Sequence, residues 1–280
     1  VLAPLAVVVL LHLFEDPDRL PAVVRSLGSA ALWGGTLVLG LLVLAGAAAL
    51  TSGDRGSPPR ELWTAVAVVA YGVMLTSLSG RILTLPLFAG LQGNWQGKIL
   101  DLLWVGILFL LLRRWAREET GLRGRLVPGS ARPALIAITV VLALFVGLGA
   151  VAALTGEDAG RAVGMEQIVW DATLPNLTEE LIWRGMMLAV LDRALPPSRR
   201  VLGAPLGWGA VLTAVVFGLG HMILLGADGS WSLSVGGGLF ATAMGLAFAW
   251  IRSLTGSIWP AFALHCAPEL GADVGVLLGS

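Results

Sequence analysis

The chain has 280 residues, of which 56% are hydrophobic and only 13% charged, with a formal net charge of zero. Its mean hydropathy is +0.85. A soluble domain carries about a quarter charged residues, so a soluble globular chain is excluded, and the neutral balance offers nothing to nucleic acid.

Apolar segments fall at about 1–14, 29–50, 61–79, 99–112, 133–154, 164–195, 201–225, 232–251 and 257–279. Runs of about 18 residues or more span a bilayer as helices. Lipid leaves no partner for unpaired backbone groups, which rules out an open sheet across it. The expected fold class is therefore all-α: a polytopic integral membrane helical bundle of about eight or nine spans with an intramembrane polar cavity. Its immediate partner is the lipid bilayer. The first run ends at "FEDPDRLP" without a small-residue cleavage site, so no cleavable signal peptide is expected, and the start at Val1 suggests that a few native residues are missing. Residues 80–97 read as a broken or interfacial piece. The single cysteine, Cys266, excludes an internal disulfide and a multi-cysteine metal site.

Residues 113–132 form a basic loop with Arg113, Arg114, Arg117, Arg123, Arg125 and Arg132 against Glu118 and Glu119. It divides N-terminal transmembrane helices, 1–112, from a catalytic transmembrane part, 133–280, where the chemistry is expected. The positive-inside rule places this loop in the cytoplasm. Threading outward puts 155–160, 226–230 and the acidic 15–18 outside, and 192–200 and Arg252 inside. The expected location is a bacterial inner membrane, with the polar site toward the outer side.

The polar site begins in "NLTEELIWRGMML", residues 176–188. An ionised carboxylate near the bilayer centre costs about 2.5–3.5 kcal/mol, so it needs a partner or a wet cavity. Glu180 and Arg184 are four apart and can pair on one helix face. Glu179 points about 100° away and lacks that partner. One reading makes Glu179 a cap, with Pro175 ending the preceding structure and Asn176 as N-cap of a capping box. The other leaves it free for chemistry.

Three histidines exist. His12 reads as packing or interfacial. His221 ends an apolar helix, and His265 lies within the last one. A lone intramembrane histidine is usually a hydrogen-bonded structural group. Two of them with an unpaired glutamate form a set that suits hydrolysis by activated water: glutamate as general base, histidine as oxyanion donor. The same three, Glu179, His221 and His265, are the ligands if a divalent metal such as zinc is used; otherwise no cofactor is expected. The two-histidine zinc helix signature and the Gly-x-Ser-x-Gly elbow are absent. Ser–Lys chemistry has only Lys98, and an aspartate dyad only Asp101 and Asp171. Trp183 and Trp259 read as cavity lining or interfacial packing, and "GGGLFATAMG" (236–245) as a tight helix contact.

These residues also carry a resemblance. "EELIWRG" resembles the Glu-Glu-x-x-x-Arg motif of the CPBP family, which comprises CAAX prenyl endopeptidases and bacteriocin-processing or immunity (Abi) membrane proteins. "FGLGH" (217–221) resembles its Phe-x-x-x-His motif. "LTGSIWPAFALHCAPE" (254–269) resembles the third, in which Thr-Gly-Ser-x-Trp-Pro precedes a histidine. The likeness covers about 133–280. It implies a helical intramembrane fold with a water-filled cavity and a glutamate-type, metal-independent endopeptidase. Glu179 would activate water with His221, His265 would stabilise the oxyanion, and Glu180 and Arg184 would order the site.

Where the family commonly has asparagine, four residues after the histidine, this chain has Glu269. The resemblance then implies a protonated Glu269, a Glu269 that orients His265, or weakened catalysis. The family includes sorting peptidases, myxosortases among them, that remove C-terminal membrane anchors. An outward site suits a membrane-anchored sorting substrate better than cytosolic prenylated ones. Two further readings stay open: a non-catalytic binding or immunity protein, and a transporter, the latter without an inverted repeat.

Overall fold

The computed structural model describes residues 1–52, 59–156, 163–226 and 229–279. The loops at 155–160 and 226–230 thus lie partly outside the described residues, and their placement outside the membrane is not addressed there. The described residues are all-α apart from two short hairpins, and the chain is an integral membrane protein. Among the described residues, five helices are long and apolar enough to cross a membrane: Pro17–Thr51, Arg60–Arg81, Ala131–Thr155, Val235–Thr255 and Ile258–Gly279.

In chain order the helices are α1 (Ala3–Glu15), α2 (Leu20–Ser52), α3 (Pro59–Arg81), α4 (Trp95–Leu111), α5 (Arg113–Glu119) and α6 (Ala131–Thr155). Then follow α7 (Met165–Ala172), α8 (Leu174–Glu179), a π-helical segment (Glu180–Met187), α9 (Leu188–Ala194), α10 (Trp208–Met222), α11 (Val235–Thr255) and α12 (Ile258–Gly279). The apolar segment at 164–195 is therefore not one helix. It breaks at Thr173, whose φ of −135° and ψ of −115° are not helical, and restarts with Pro175 in the first turn, where a missing N–H costs nothing. Residues 199–206 and 223–233 do not continue the apolar helices around them. They form the hairpins Arg199–Val201 with Ala204–Leu206, and Ile223–Leu225 with Trp231–Leu233.

Small residues set the helix spacing. On α12, Gly271, Gly275 and Gly279 face α6, where an added Cβ at Gly271 would stand 2.8 Å from Phe145 Cβ and at Gly279 2.8 Å from Ala153 Cβ. Gly149 of α6 returns the fit against Ala272. Helix association in lipid relies on such close backbone approach. The glycine cluster of α11 acts in the same way: Gly238 meets Met222 and Gly245 meets Ala214, both on α10.

Arg123, Arg193 and Arg252 meet at one end of the bundle, while Arg19 and Arg81 lie at the other, beside His12 and Trp33. Arg193 at the end of α9 pairs with Glu119 at 3.1 Å, and Arg252 near the end of α11 donates to the Glu119 carbonyl. Arg123 Nε donates to Gly256 O at 2.8 Å, and Ser257 Oγ to Arg123 O at 2.7 Å. The opposite end is tied around residues 82–96. Buried His12 bonds Leu83 O at 2.8 Å, Gln96 Nε2 donates to Leu83 O at 3.0 Å, and Trp33 Nε1 donates to Ile223 O at 2.7 Å.

Candidate active site

The π-helical segment opens at Glu180, and the N–H of Leu188 reaches back to Trp183 O, five residues earlier. Every residue from Glu180 to Met187 is buried. A π-bulge is a rare local widening that often accompanies a functional site. Here it holds two adjacent carboxylates against one imidazole. His265 Nδ1 is 2.8 Å from Glu180 Oε1, and His265 Nε2 is 3.7 Å from Glu179 Oε2. The expected divergence of Glu179 and Glu180 is thus only local, because the ring from α12 spans the space between them.

Glu180 and Arg184 are both fully buried and pair at 3.0 Å, as the spacing predicts. Arg184 Nη2 also donates to Gly245 O at 3.3 Å, and its guanidinium lies over the Phe217 and Phe248 rings at 4.7 and 4.9 Å. Phe248 stacks on His265 with centroids 4.3 Å apart. Phe217 meets the ring edge of Trp183 at 5.5 Å, which makes Trp183 part of the packing behind the site. Trp259 is 44% exposed in the first turn of α12.

Glu179 is not free. Lys98 Nζ of α4 sits 2.5 Å from Glu179 Oε1, and each side chain is 19% exposed. This corrects the expectation of an unpartnered glutamate, and it brings a residue of the N-terminal part, 1–112, against the candidate site. A partner 81 residues away leaves no spacing to read; the available signal was a lone lysine in an arginine-rich chain.

Asn176 is not an N-cap. The helix starts at Leu174 without a side-chain cap. Asn176 is buried, and its Nδ2 donates to Asp171 O and to Glu269 Oε2, each at 2.8 Å. It also lies 3.6 Å from Cys266 Sγ. Glu269 therefore joins the site through Asn176 rather than by a contact with His265. Pro268, just before it, removes one helix hydrogen bond from α12 beside the histidine.

His221 stands apart from this network. Its Nδ1 bonds Phe217 O at 2.9 Å, and its ring packs on Phe217 at 4.5 Å. The carbonyl can only accept, so Nδ1 carries a proton. The same Phe217 ring meets His265 at 5.9 Å, so it stands between the two histidines. Among the described residues, no three histidine, cysteine, aspartate or glutamate side chains are grouped to hold a metal ion.

A cavity of about 290 Å³ opens beside the start of α4, lined by Gln92, Gly93, Asn94, Glu166, Gln167 and Trp170. Glu166 of α7, a helix too short to cross a membrane, closes one wall. Its Oε1 accepts from Trp95 Nε1 at 3.0 Å, Gly93 N at 3.3 Å and Gln92 N at 2.9 Å. The Trp95 indole first, then the two backbone N–H groups, hold its carboxyl below the usual range.

Residues 162–270 match the family model described as type II CAAX prenyl endopeptidase Rce1-like. No curated protein and no solved structure matches the chain. The matched stretch contains Glu179, Glu180, Arg184, His221, His265 and Glu269, while Lys98 lies before it. Over this stretch, which is less than half of its length, the chain is similar to the CAAX-type membrane endopeptidases that the family model describes.

Proposed function

We propose that this chain is an intramembrane endopeptidase that uses Glu179 and histidine to activate water. The observation that carries the reading is the placement of His265 between two carboxylates, with Nδ1 on Glu180 and Nε2 facing Glu179 Oε2 at 3.7 Å. A water beside that gap can bond both groups, as polar atoms beyond 3.5 Å commonly do through a bridge.

In the proposed reaction Glu179 takes a proton from the water as its oxygen attacks the scissile carbonyl carbon. His221 helps to hold that water. The carbonyl becomes an oxyanion, which His265 stabilises from Nε2. With Nδ1 bonded to Glu180, that donation requires the imidazolium form. Collapse breaks the C–N bond, and Glu179 returns its proton to the leaving nitrogen. The products are one new carboxylate and one new amine terminus. Glu180 and Arg184 hold the ring in place, and Glu269 acts at a distance, by fixing Asn176 against α12. The reaction is written without a cofactor.

We further propose a membrane-anchored substrate cut near the face opposite Arg123, Arg193 and Arg252, as in removal of a C-terminal sorting tail. The arginine-rich end supports this orientation under the positive-inside rule. Glu179 stands fourteen residues before Arg193 along the same run of helix, a separation of roughly 20 Å at 1.5 Å per residue. A CAAX-type substrate on the cytoplasmic side is the competing assignment. A non-catalytic binding role is favoured by one observation, the direct pairing of Glu179 with Lys98.

The test is a comparison of membrane-protein termini between cells with the intact chain and cells with Glu179→Gln at equal expression. Termini formed only with the intact chain are expected, and their side of the membrane reports the topology. Identical termini in both strains, with cell phenotype unchanged, would leave a binding protein.

A further inference from the structure

Lys98 is the only lysine of the chain and stands on a helix outside the matched residues 162–270. Its ammonium meets one oxygen of Glu179, Oε1, at 2.5 Å. The other oxygen, Oε2, is the one that faces His265. A carboxylate held at one oxygen by a cation cannot rotate freely, so the second oxygen keeps its direction.

Lys98 is itself held. Asn94 caps α4 by accepting from Gly97 N at 2.9 Å, and its Nδ2 donates to Gly80 O at 2.7 Å, which fixes the first turn of α4 to the end of α3. Asp101, three residues on and buried, adds its charge to Lys98. Thr76 Oγ1 and Trp104 Nε1 each donate to Asp101 at 2.9 Å. Bonds from α3 and α4 thus fix Asp101, whose charge acts on Lys98 through space, and Lys98 in turn bonds Glu179. Simple charge neutralisation would not need the carboxylate behind the lysine to be fixed as well.

We infer that Lys98 is a positioning residue for Glu179: it holds Oε1 so that Oε2 addresses the water and His265. The working site is then assembled from both sides of the basic loop. The inference rests on the endopeptidase reading above, and its test separates the two. In the full-length protein in detergent, unfolding is compared for the intact chain, K98M, E179Q and K98M/E179Q. In cells, termini are compared for the intact chain, E179Q, K98M and K98R.

K98M is expected to lower the folded-to-unfolded ratio about tenfold or more, because it strands a largely buried carboxylate. The double variant is expected to lose less than the sum of the single losses, as for directly coupled groups. Glu179-dependent termini should fall at least about tenfold in K98M and return in part with K98R, which keeps the cation but not its shape. K98Q stands in should K98M not accumulate. Additive single effects would overturn the ion pair. Full terminus formation in K98M would overturn positioning and leave neutralisation. Absence of any Glu179-dependent terminus in every strain would overturn the endopeptidase reading, and positioning with it, even where the coupling persists.

Discussion

His265 and Glu180 are joined by a 2.8 Å bond between Nδ1 and Oε1, and Glu180 is wholly out of contact with solvent. A carboxylate with no proton can only accept, so the bond assigns the proton to Nδ1. This fixes which ring nitrogen faces Glu179, and it separates two kinds of substitution at the histidine.

His265→Asn keeps a donor where Nδ1 stands and removes Nε2. It is expected to unfold near the temperature of the intact chain but to form no Glu179-dependent termini. His265→Gln moves its donor away from Glu180 and is expected to be the less stable of the two. Thermal unfolding in detergent and terminus mapping in cells check both statements. Equal terminus formation by His265→Asn would remove the histidine from the chemistry.

Glu180→Gln leaves Arg184 as a buried cation without its carboxylate. Breaking a buried pair from one side costs about 3–5 kcal/mol, so a large fall in unfolding temperature is expected. Arg184→Lys keeps the charge but loses the contact with Gly245 and the placement over Phe217 and Phe248. It is expected to restore little, because a lysine does not reproduce a planar, stacked guanidinium.

Gly245→Ala places a Cβ 3.1 Å from Arg184 Nη2 and 3.1 Å from Ala214 Cα. The arginine is bonded and the alanine backbone belongs to α10, so neither yields freely. A loss of about 1–3 kcal/mol is expected. Gly35→Ala, with nothing within 4 Å of the added carbon, is the matched control and should be tolerated.

Glu166→Ala removes the single oxygen that three N–H groups share and is expected to loosen the 92–95 turn from α7. A cysteine placed at Gln92 should then react faster with a thiol reagent. Because the Glu166 carboxyl is held below its ordinary value of 4.5, the tie is complete above about pH 4.5 in the intact chain. It is lost as pH falls through the lower folded value. An unchanged labelling rate would show that the 92–95 turn is held to α7 by Trp170 instead, whose ring meets Trp95 at 5.0 Å.

Cysteines at Gly124, in the basic loop, and at Ser232, in the second hairpin, are expected to label from opposite sides of the membrane, the first from the cytoplasm. Labelling of Gly124 from outside would invert the proposed orientation and move the site to the cytoplasmic half.

The spans were legible because an apolar run of sufficient length has few other fates. α3, α6, α11 and α12 lie within a few residues of their expected positions. The pairing of Glu180 with Arg184 was also legible, since four residues is a helical contact in either the α or the π form. Lys98 was not: its contact with Glu179 depends on how α4 docks, and no local period encodes that. Asn176 misled because its neighbours fit a capping box, while tertiary contacts with Glu269 and Asp171 claimed its side chain. The hairpins around α10 were hidden by apolar residues that read equally as helix. The two glutamates on one imidazole needed the position of α12, some 85 residues downstream.

The Glu180–Arg184 pair also bears on the order in which the chain is made. These two charges neutralise each other within a single turn, so they can enter the bilayer together before any later helix exists. Glu179 has no such companion nearby. Its counter-charge, Lys98, precedes it in the chain and is synthesised earlier. His265 arrives last, with α12, onto a pair of carboxylates whose charges are both answered. Under the proposed mechanism, a chain interrupted before α12 would hold its glutamates with their charges answered and, lacking His265, do no chemistry.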